Sequence, residues 1–255
     1  MILCIDAGNT NISFAIFQKL KINFKLISKF DLQTEKKTTS FELLSKIIPI
    51  MNFFNISIQK ISEVKIATVV PELERIFFEL FSSILKVKKV RIIKNTEIPL
   101  KINLHNKNEV GIDRIINIYS ALKIYGNKKN ILVIDFGTAI TFDVGTKEGT
   151  YEGGIIFPGI NLSLEALKNG TSKLPKVSFE NVNSPVGKST AEAINAGIFY
   201  GYSEMVNGVV LQIKKCYKED FNIILTGGLS SIISKNFNFK HTTEETLNLK
   251  GILIS

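Results

Sequence analysis

Two separate stretches of this sequence carry the same pattern: an apolar run, an Asp, any residue, a Gly, a short turn with a Thr, and a second run typical of a strand. The first is ILCIDAGNTNISFAIF, from Ile2 to Phe17, and the second is ILVIDFGTAITFDV, from Ile131 to Val144. The copies lie too far apart to be units of a solenoid, in which periods of ~20–50 residues are typical. The repeat therefore predicts a duplicated domain.

Each copy has the chemistry of a phosphate-binding hairpin. Asp6 and Asp135 would end the first strand, and the Gly two residues later allows a close approach that a side chain would block. Backbone N–H groups and the hydroxyls of Thr10 and Thr138 can then face an anion, while the Asp can hold a hard cation. A single copy could equally be an ordinary hairpin with a solvated Asp. Two copies with matched flanks favour a clamp on a nucleoside triphosphate.

Composition narrows the class of protein. With 255 residues, of which 45% are hydrophobic, the chain can form one large domain or two modest ones. No run of ~18 apolar residues predicts a membrane span, and no signal-peptide pattern is present. Cys4 and Cys216 give no disulfide framework, which fits a reducing compartment. We therefore expect a cytoplasmic protein with no membrane partner.

We attribute the net positive charge to the overall composition of the chain and not to a surface that binds nucleic acid. The formal net charge of +9 comes almost entirely from scattered lysines. Arginine, the better reader of bases, is scarce, and the lysines do not alternate with aromatic residues. We therefore expect no nucleic-acid partner.

Hydrophobic periodicity predicts mixed α/β structure. In the first third we expect antiparallel strands at Ile12–Phe17 and Phe24–Phe30, a helix that Pro49 stops or kinks, and a second helix near Pro71. Residues 110–125 predict a loop that feeds a helix, and the domain boundary is expected in that helix.

The second half predicts a similar alternation. After the second hairpin we expect a glycine-rich hairpin at Glu152–Gly154, long helices after Asn161 and Ser189, and a strand at Ile223–Leu225. The pattern of strand, turn and strand thus restarts near Ile131, as a duplicated domain requires.

Two further glycine motifs need separate interpretation. In ILTGGL, Gly227 and Gly228 follow a predicted strand and would let a ligand lie against bare backbone, which makes them a candidate adenosine site; a simple strand-to-helix turn is the alternative. The segment Gly187–Thr190 looks like the end of a P-loop, but Val182 stands where that motif needs its first glycine. A P-loop is therefore not predicted.

Several ordered blocks resemble one family. They are DAGNTNISFAIF, VVPEL (Val69–Leu73), EVGIDR (Glu109–Arg114), DFGTAITFD (Asp135–Asp143), GGIIFPG (Gly153–Gly159) and GKSTAEAINAGIFYGY (Gly187–Tyr202). Together they resemble the type III pantothenate kinases, a family within the superfamily of actin, sugar kinases and heat-shock chaperones. The resemblance spans nearly the whole chain.

The resemblance implies a fold and an activity. The fold would be α/β, with two ribonuclease-H-like lobes of the actin-like ATPase type, residues 1–116 and 117–255, and ATP in the cleft between them. The activity would be ATP-dependent phosphorylation of pantothenate to 4'-phosphopantothenate, the first step of coenzyme A biosynthesis. The family also implies Mg²⁺ with ATP, a monovalent cation (K⁺ or NH₄⁺) and a homodimer.

Roles carried over by position follow from the same resemblance. Asp113 would be the catalytic base and Asp135 the metal ligand. The substrate-binding residues would be Gly111, Ile112, Asp113, Arg114 and Thr190. The ATP-binding residues would be Asp6, Ala7, Gly8, Asn9, Thr10, Asn11, Ile12, Ser13 and Thr138.

Each of these roles has an alternative on the residues alone. Asp113 beside Arg114 could be an ion pair at a helix start, where acidic residues are favoured. Arg114 could grip the carboxylate of pantothenate or pair with a neighbouring acid. Thr190, with Ser189, could simply cap the helix that follows.

One position departs from the family. An aromatic residue usually precedes Glu-Val-Gly, and Asn108 stands there in this chain. The departure leaves open a kinase of another small alcohol. A catalytically silent ATP-binding regulator on the same fold is a further alternative, although the presence of Asp6, Asp113 and Asp135 together argues against it.

Overall fold

The computed structural model describes residues 1–126 and 128–255, which divide into two compact units. The first contains Met1–Leu100, Asn106–Ser120 and Leu247–Ser255, and the second contains Lys101–His105 and Ala121–Thr246. The helix Ile112–Tyr125 passes from one unit to the other, and the last residues of the chain return to the first unit.

Strands form one sheet in each unit. In the first unit they are β1 (Ile2–Ala7), β2 (Asn11–Lys19), β3 (Phe24–Gln33), β4 (Glu63–Thr68) and β5 (Lys89–Ile92). In the second unit they are β6 (Lys101–Ile102), β7 (Asn130–Phe136), β8 (Ala139–Gly145), β9 (Thr150–Pro158), β10 (Phe221–Thr226) and β11 (Thr242–Thr243).

Helices connect and cover these strands. They are α1 (Ser40–Phe53), α2 (Pro71–Phe78, extended by a π-helical turn at Glu79–Ile84), α3 (Ile112–Tyr125), α4 (Ile160–Asn169), α5 (Thr190–Tyr217), α6 (Ser230–Ile233) and α7 (Leu247–Ile254). No helix among residues 1–126 and 128–255 is both long and apolar enough to cross a bilayer.

The two sheets share one strand order, which confirms the duplication. The first runs β3-β2-β1-β4-β5, and the second runs β9-β8-β7-β10-β11 with β6 added beside β9. In each, three consecutive strands (β1–β3 and β7–β9) pair antiparallel, and two later strands (β4 and β5, β10 and β11) join in parallel. Each Asp-x-Gly turn therefore joins the central strand of its sheet to the next strand.

Alternation along the central strand of the first unit gives its sheet two buried faces. Leu3 and Ile5 face a core shared with α1 and α2, and both are fully buried. Cys4 points to the opposite face, where α7 packs on β1 and β4. Side chains of this size contribute roughly 1.5–3 kcal/mol each when they are fully buried, so both layers of helices help to hold the strand that carries Asp6.

One prediction about local structure is wrong, and for a second the structure excludes one of its two alternatives. Glu152–Gly154 is not a hairpin but part of β9, where Gly153 has a φ of 109° and lies against Leu104. The chain reverses earlier, at Gly149, whose N–H donates to Thr146 O. Pro49 does not stop α1, which continues to Phe53. A Pro near the end of a helix removes one hydrogen bond, and the buried apolar face of α1 offsets this loss.

Candidate functional site

The first hairpin places the predicted ATP-binding residues at the end of β1. The N–H of Gly8 donates to Asn11 O at 2.9 Å and closes the turn, and a side chain at Gly8 would contact that carbonyl. Asn9 and Thr10 are exposed at its tip. Asp6 lies opposite Ser13 in the ladder between β1 and β2. The residues Asp6–Ser13 thus form one continuous structure, as the sequence predicts.

Thr34, the residue after β3, supports this hairpin, and the sequence analysis missed it. Its hydroxyl donates to Gly8 O at 2.7 Å, and its N–H donates to Thr10 O at 2.8 Å. Two carbonyl groups of the turn are thereby satisfied by a neighbouring strand end. Because the bonds join residues remote in sequence, no local pattern could have revealed them.

The hydroxyl of Ser13 is held by a carboxylate. It donates to Asp31 Oδ1 at 2.5 Å across the antiparallel pair of β2 and β3. Lys29 lies 3.7 Å from the other oxygen of Asp31. Ser13 therefore sits in a small polar row on the sheet.

The loop before α3 lies beside the same strand. Val69 follows β4, and its N–H donates to Ala7 O at 3.1 Å. A Cβ atom placed on Gly111 would lie 3.5 Å from a methyl group of Val69. The first hairpin, the Val69–Leu73 segment and the start of α3 at Gly111–Arg114 thus meet within the first unit.

Asp113 is folded back over Gly111. Its Oδ1 accepts the N–H of Arg114 at 2.9 Å, and it occupies the space that a side chain at Gly111 would need. The carboxylate is half-buried at the first turn of α3. Acidic groups are favoured there by the partial positive charge of the helix N-terminus.

The second hairpin corresponds to the first in the other unit, but its turn is one residue shorter. The N–H of Gly137 donates to Ala139 O at 3.2 Å, and Thr138 is exposed at the tip. The N–H of Gly159, the residue before α4, donates to Thr138 O at 3.1 Å. A side chain at Gly159 would collide with that carbonyl. The GGIIFPG block therefore supports the second hairpin through its last glycine.

The Gly-Gly motif lies against the strand that carries Asp135. Thr226 is the partner of Asp135 in the parallel ladder of β10 and β7. Gly227 follows with a φ of 86°, and a Cβ atom on it would lie 2.6 Å from backbone atoms of Phe136. The second unit thus brings together Asp135, the second hairpin and the Gly-Gly motif, which the sequence analysis predicted to bind a cation, phosphate and adenosine.

A buried carboxylate lies on the same sheet. Asp143 is fully buried; it accepts the hydroxyl of Tyr151 at 2.7 Å and the hydroxyl of Thr141 at 2.8 Å. Thr141 is in turn the ladder partner of Asp135. A buried carboxylate needs such donors. The bond to Asp143 also fixes the direction in which the hydroxyl of Thr141 points.

Thr190 is the first residue of α5 and is exposed. Ser189 caps this helix, because its Oγ accepts the N–H of Glu192 at 3.3 Å. Lys188 N–H donates to the carboxylate of Glu192 at 2.7 Å. A pocket of about 340 Å³ adjoins this turn, with Gly187, Glu192 and Asn195 in its wall. Since Ser189 does the capping, Thr190 is not needed for it.

Asn108 lies in the exposed part of the loop before α3. Its N–H donates to Asn106 Oδ1 at 3.1 Å, and Asn106 also donates to Glu109. The side chain that replaces the family's aromatic residue is therefore in a polar turn, which precedes the buried Val110.

Solved structures with the same architecture define the class. The chain superposes on component A of (R)-2-hydroxyglutaryl-CoA dehydratase from Acidaminococcus fermentans with a TM-score of 0.52 and 13% identity, over 99% of this chain and 94% of that one. It superposes on the polyphosphate/ATP-glucomannokinase from Arthrobacter sp. strain KM with a TM-score of 0.51 and 12% identity, over 99% and 96%. The fold is that of the actin-like ATPases and sugar kinases.

Sequence comparison gives the particular family. A family model described as Type III pantothenate kinase matches residues 2–212. The type III pantothenate kinase of Persephonella marina is 41% identical over 252 residues, which cover 99% of this chain and 96% of the relative. The chain belongs to the type III pantothenate kinase family. It is an ATP-dependent phosphotransferase whose acceptor is pantothenate, in coenzyme A biosynthesis.

Proposed function

We propose that Asp113 is the general base for transfer of the γ-phosphoryl group of ATP to the primary hydroxyl of pantothenate. The observation that carries this role is the carboxylate of Asp113, folded over Gly111 and fixed by the N–H of Arg114. The proton of the hydroxyl passes to Asp113 as the oxygen–phosphorus bond forms and the bond to ADP breaks. The products are 4'-phosphopantothenate and ADP.

ATP is held by the two hairpins in this proposal. Phosphoryl transfer requires mainly positioning and neutralisation of charge. The exposed tips of the hairpins, with Thr10 in one and Thr138 in the other, offer backbone N–H groups and hydroxyls to the phosphates. The remaining residues of the first clamp are Asp6, Ala7, Gly8, Asn9, Asn11, Ile12 and Ser13.

Pantothenate is held by the loop before α3 and by Thr190. The planar guanidinium of Arg114 suits the substrate's carboxylate, and Gly111 and Ile112 would contact the substrate beside Asp113. Thr190 directly precedes Ala191, which lines a pocket of about 340 Å³, a volume within the ~300–1,000 Å³ of small-molecule sites.

The oxygen-rich surroundings of Asp135 fit a weakly bound cation. Its ladder partners, Thr141 and Thr226, both carry hydroxyls, and no cluster of three or more acidic, His or Cys groups is found among the described residues. Such a donor set suits K⁺ or NH₄⁺, and Mg²⁺ would arrive with the phosphates of ATP. When bound, these cations would neutralise part of the negative charge of the phosphates.

A homodimer is supported by the outer part of β9. Ile156 is 63% exposed, and Ile155 and Phe157 are each 40% exposed. Among the described residues, β6 pairs only with Thr150 and Tyr151 of this strand, so its apolar half has an unpaired edge. An unpaired strand edge presents free backbone N–H and C=O groups with which a strand of another chain can pair.

The experiment that tests the proposal is an ADP-release assay on wild type and Asp113→Asn with a panel of small alcohols, in potassium, ammonium or sodium buffer. Among the alcohols of the panel, we expect turnover only with pantothenate. We expect the turnover number to be higher in potassium or ammonium buffer than in sodium buffer. General-base assistance is typically worth ~100- to 10,000-fold, so Asp113→Asn should lose turnover within that range. ATP binding and the melting temperature should stay close to wild type.

A different pattern would contradict the assignment. Near-normal turnover in a folded Asp113→Asn protein would remove this residue from the mechanism. A lowered melting temperature with little loss of turnover in the folded fraction would instead make Asp113 and Arg114 a structural pair. Equal activity in all three buffers would remove Asp135 as a cation ligand.

A further inference from the structure

Two asparagine side chains hold the backbone around the start of α3, where Asp113 lies. Asn95 Nδ2 donates to Val110 O at 2.9 Å, and Asn248 Nδ2 donates to Asp113 O at 3.1 Å. Asn95 lies 15 residues from its partner, whereas Asn248 lies 135 residues from its own. All four residues belong to the first compact unit. The two bonds flank Gly111 and Ile112 on either side.

These amides serve as donors only. A carbonyl oxygen accepts but cannot donate, so the acceptor fixes which end of each amide faces the loop. The Oδ1 atoms of Asn95 and Asn248 are buried and have no hydrogen-bond partner within residues 1–126 and 128–255. Burial of an unsatisfied amide oxygen opposes folding. An apolar side chain of similar size would avoid this penalty but would lose the bond to the backbone carbonyl, so that bond is what each asparagine contributes.

Asn248 is itself firmly supported by the rest of α7. Near the other end of this helix, Lys65 Nζ donates to Leu253 O at 2.8 Å and to Ser255 O at 2.6 Å. Lys65 is 7% exposed, and burial holds its pKa below the usual range. Cationic donors at a helix C-terminus satisfy its last carbonyl groups and complement its dipole. The lysine therefore fixes α7 against the sheet.

The middle of α7 touches α3 directly. A side chain at Gly251 would collide with Ile116 and would lie 3.0 Å from the Cβ atom of Ser120. Only a glycine permits this close approach of the two helices. α7 is thus held at one end by Lys65 and in the middle by contact with α3, and Asn248 reaches the first turn of α3 from this rigid base.

We propose that Asn95 and Asn248 are positioning residues for the carboxylate of Asp113. They act on the loop backbone and not on substrate. The proposal rests on the role of Asp113 as the base. With both bonds in place, the backbone from Val110 to Asp113 is fixed at its two ends, and the carboxylate keeps its place over Gly111. Loss of either bond lets that segment shift, and the carboxylate shifts with it.

The test uses Asn95→Leu and Asn248→Leu, which keep similar volume and lose the donor. A misplacement of about 1 Å at a reacting group can reduce turnover about 100-fold, so we expect kcat to fall about 10- to 100-fold in each variant. The KM for ATP should stay close to wild type, because the hairpins are untouched. Asn222→Leu is the matched control, since Asn222 Nδ2 makes the same kind of bond to Tyr125 O at the other end of α3. It should leave kcat unchanged.

A double-mutant cycle separates positioning from a general structural role. If the amides act through Asp113, either Leu substitution should cost little further turnover in an Asp113→Asn background. An undiminished further loss would overturn the proposal, as would wild-type kcat in both single variants. Loss of the folded state in both variants would overturn it too, because the amides would then be structural.

Failure of the underlying assignment gives a different result. If Asp113→Asn itself keeps normal turnover on pantothenate, the base assignment fails, and the positioning role with it. If Asp113→Asn is impaired while Asn95→Leu and Asn248→Leu remain fully active, the positioning role alone fails.

Discussion

At the scale of single residues, Gly111 decides where the proposed base can sit. Its missing side chain leaves the space that Asp113 Oδ1 occupies, and the carboxylate can then accept the N–H of Arg114. The sequence shows a Gly and an Asp two positions apart, but only the three-dimensional path of the loop shows that the carboxylate turns back over the glycine.

Gly111→Ala should therefore impair chemistry more than folding. The atom that must move is the end of a flexible side chain, so the fold can accommodate the methyl group. The carboxylate is displaced, and a shift of about 1 Å can cost about 100-fold in turnover. We expect kcat to fall about 10- to 100-fold with a nearly unchanged melting temperature. Steady-state kinetics beside thermal unfolding measure both, and an unchanged kcat would show that the carboxylate works equally well elsewhere.

At the scale of elements, the turn from β10 to α6 depends on one glycine of the pair. Gly227 has a φ of 86°, and a Cβ atom on it would lie 2.6 Å from the backbone of Phe136, whereas a Cβ atom on Gly228 would meet no atom within 4 Å. From the sequence motif alone, the two glycines cannot be distinguished. The structure assigns the close approach to the first, because β10 and β7 run side by side there.

Gly227→Ala should destabilise the second unit and weaken ATP binding, and Gly228→Ala is its matched control. A non-glycine residue at positive φ typically costs about 1 kcal/mol or more, and the collision with the backbone of Phe136 adds to this. We expect a lower melting temperature and a higher KM for ATP in Gly227→Ala only. The same change in both variants would mean that backbone conformation at this turn is not what matters.

Prediction of elements succeeded where a pattern is local. The antiparallel strands, the Pro71 helix start and the strand before the Gly-Gly motif are confirmed. The expected hairpin at Glu152–Gly154 is wrong because glycines also occur inside strands, where a bulge or a close neighbour needs them. Gly153 meets Leu104 at such a place.

At the scale of the whole molecule, the exposed apolar half of β9 is expected to join two copies of the chain. Ile156→Glu places a charge on that surface and should convert a dimer into a monomer. Ile22→Glu is the control, because Ile22 is 99% exposed in the first unit and lies outside β9. Sedimentation of the three proteins over a range of concentrations measures the state. A wild-type monomer, or dissociation in the control, would contradict the prediction.

The amino-acid sequence by itself determined the duplicated plan, the two hairpins and the family, because an Asp-x-Gly turn between strands is a local device that repeats recognisably. Only the tertiary structure decided what supports the site. Thr34 reaches the first hairpin, Asn95 and Asn248 reach the loop of Asp113, and Lys65 fixes α7 from β4. These bonds join backbone groups to side chains that are distant along the chain. A single sequence has no periodicity that records such pairs, since their geometry exists only once the strands and helices have packed.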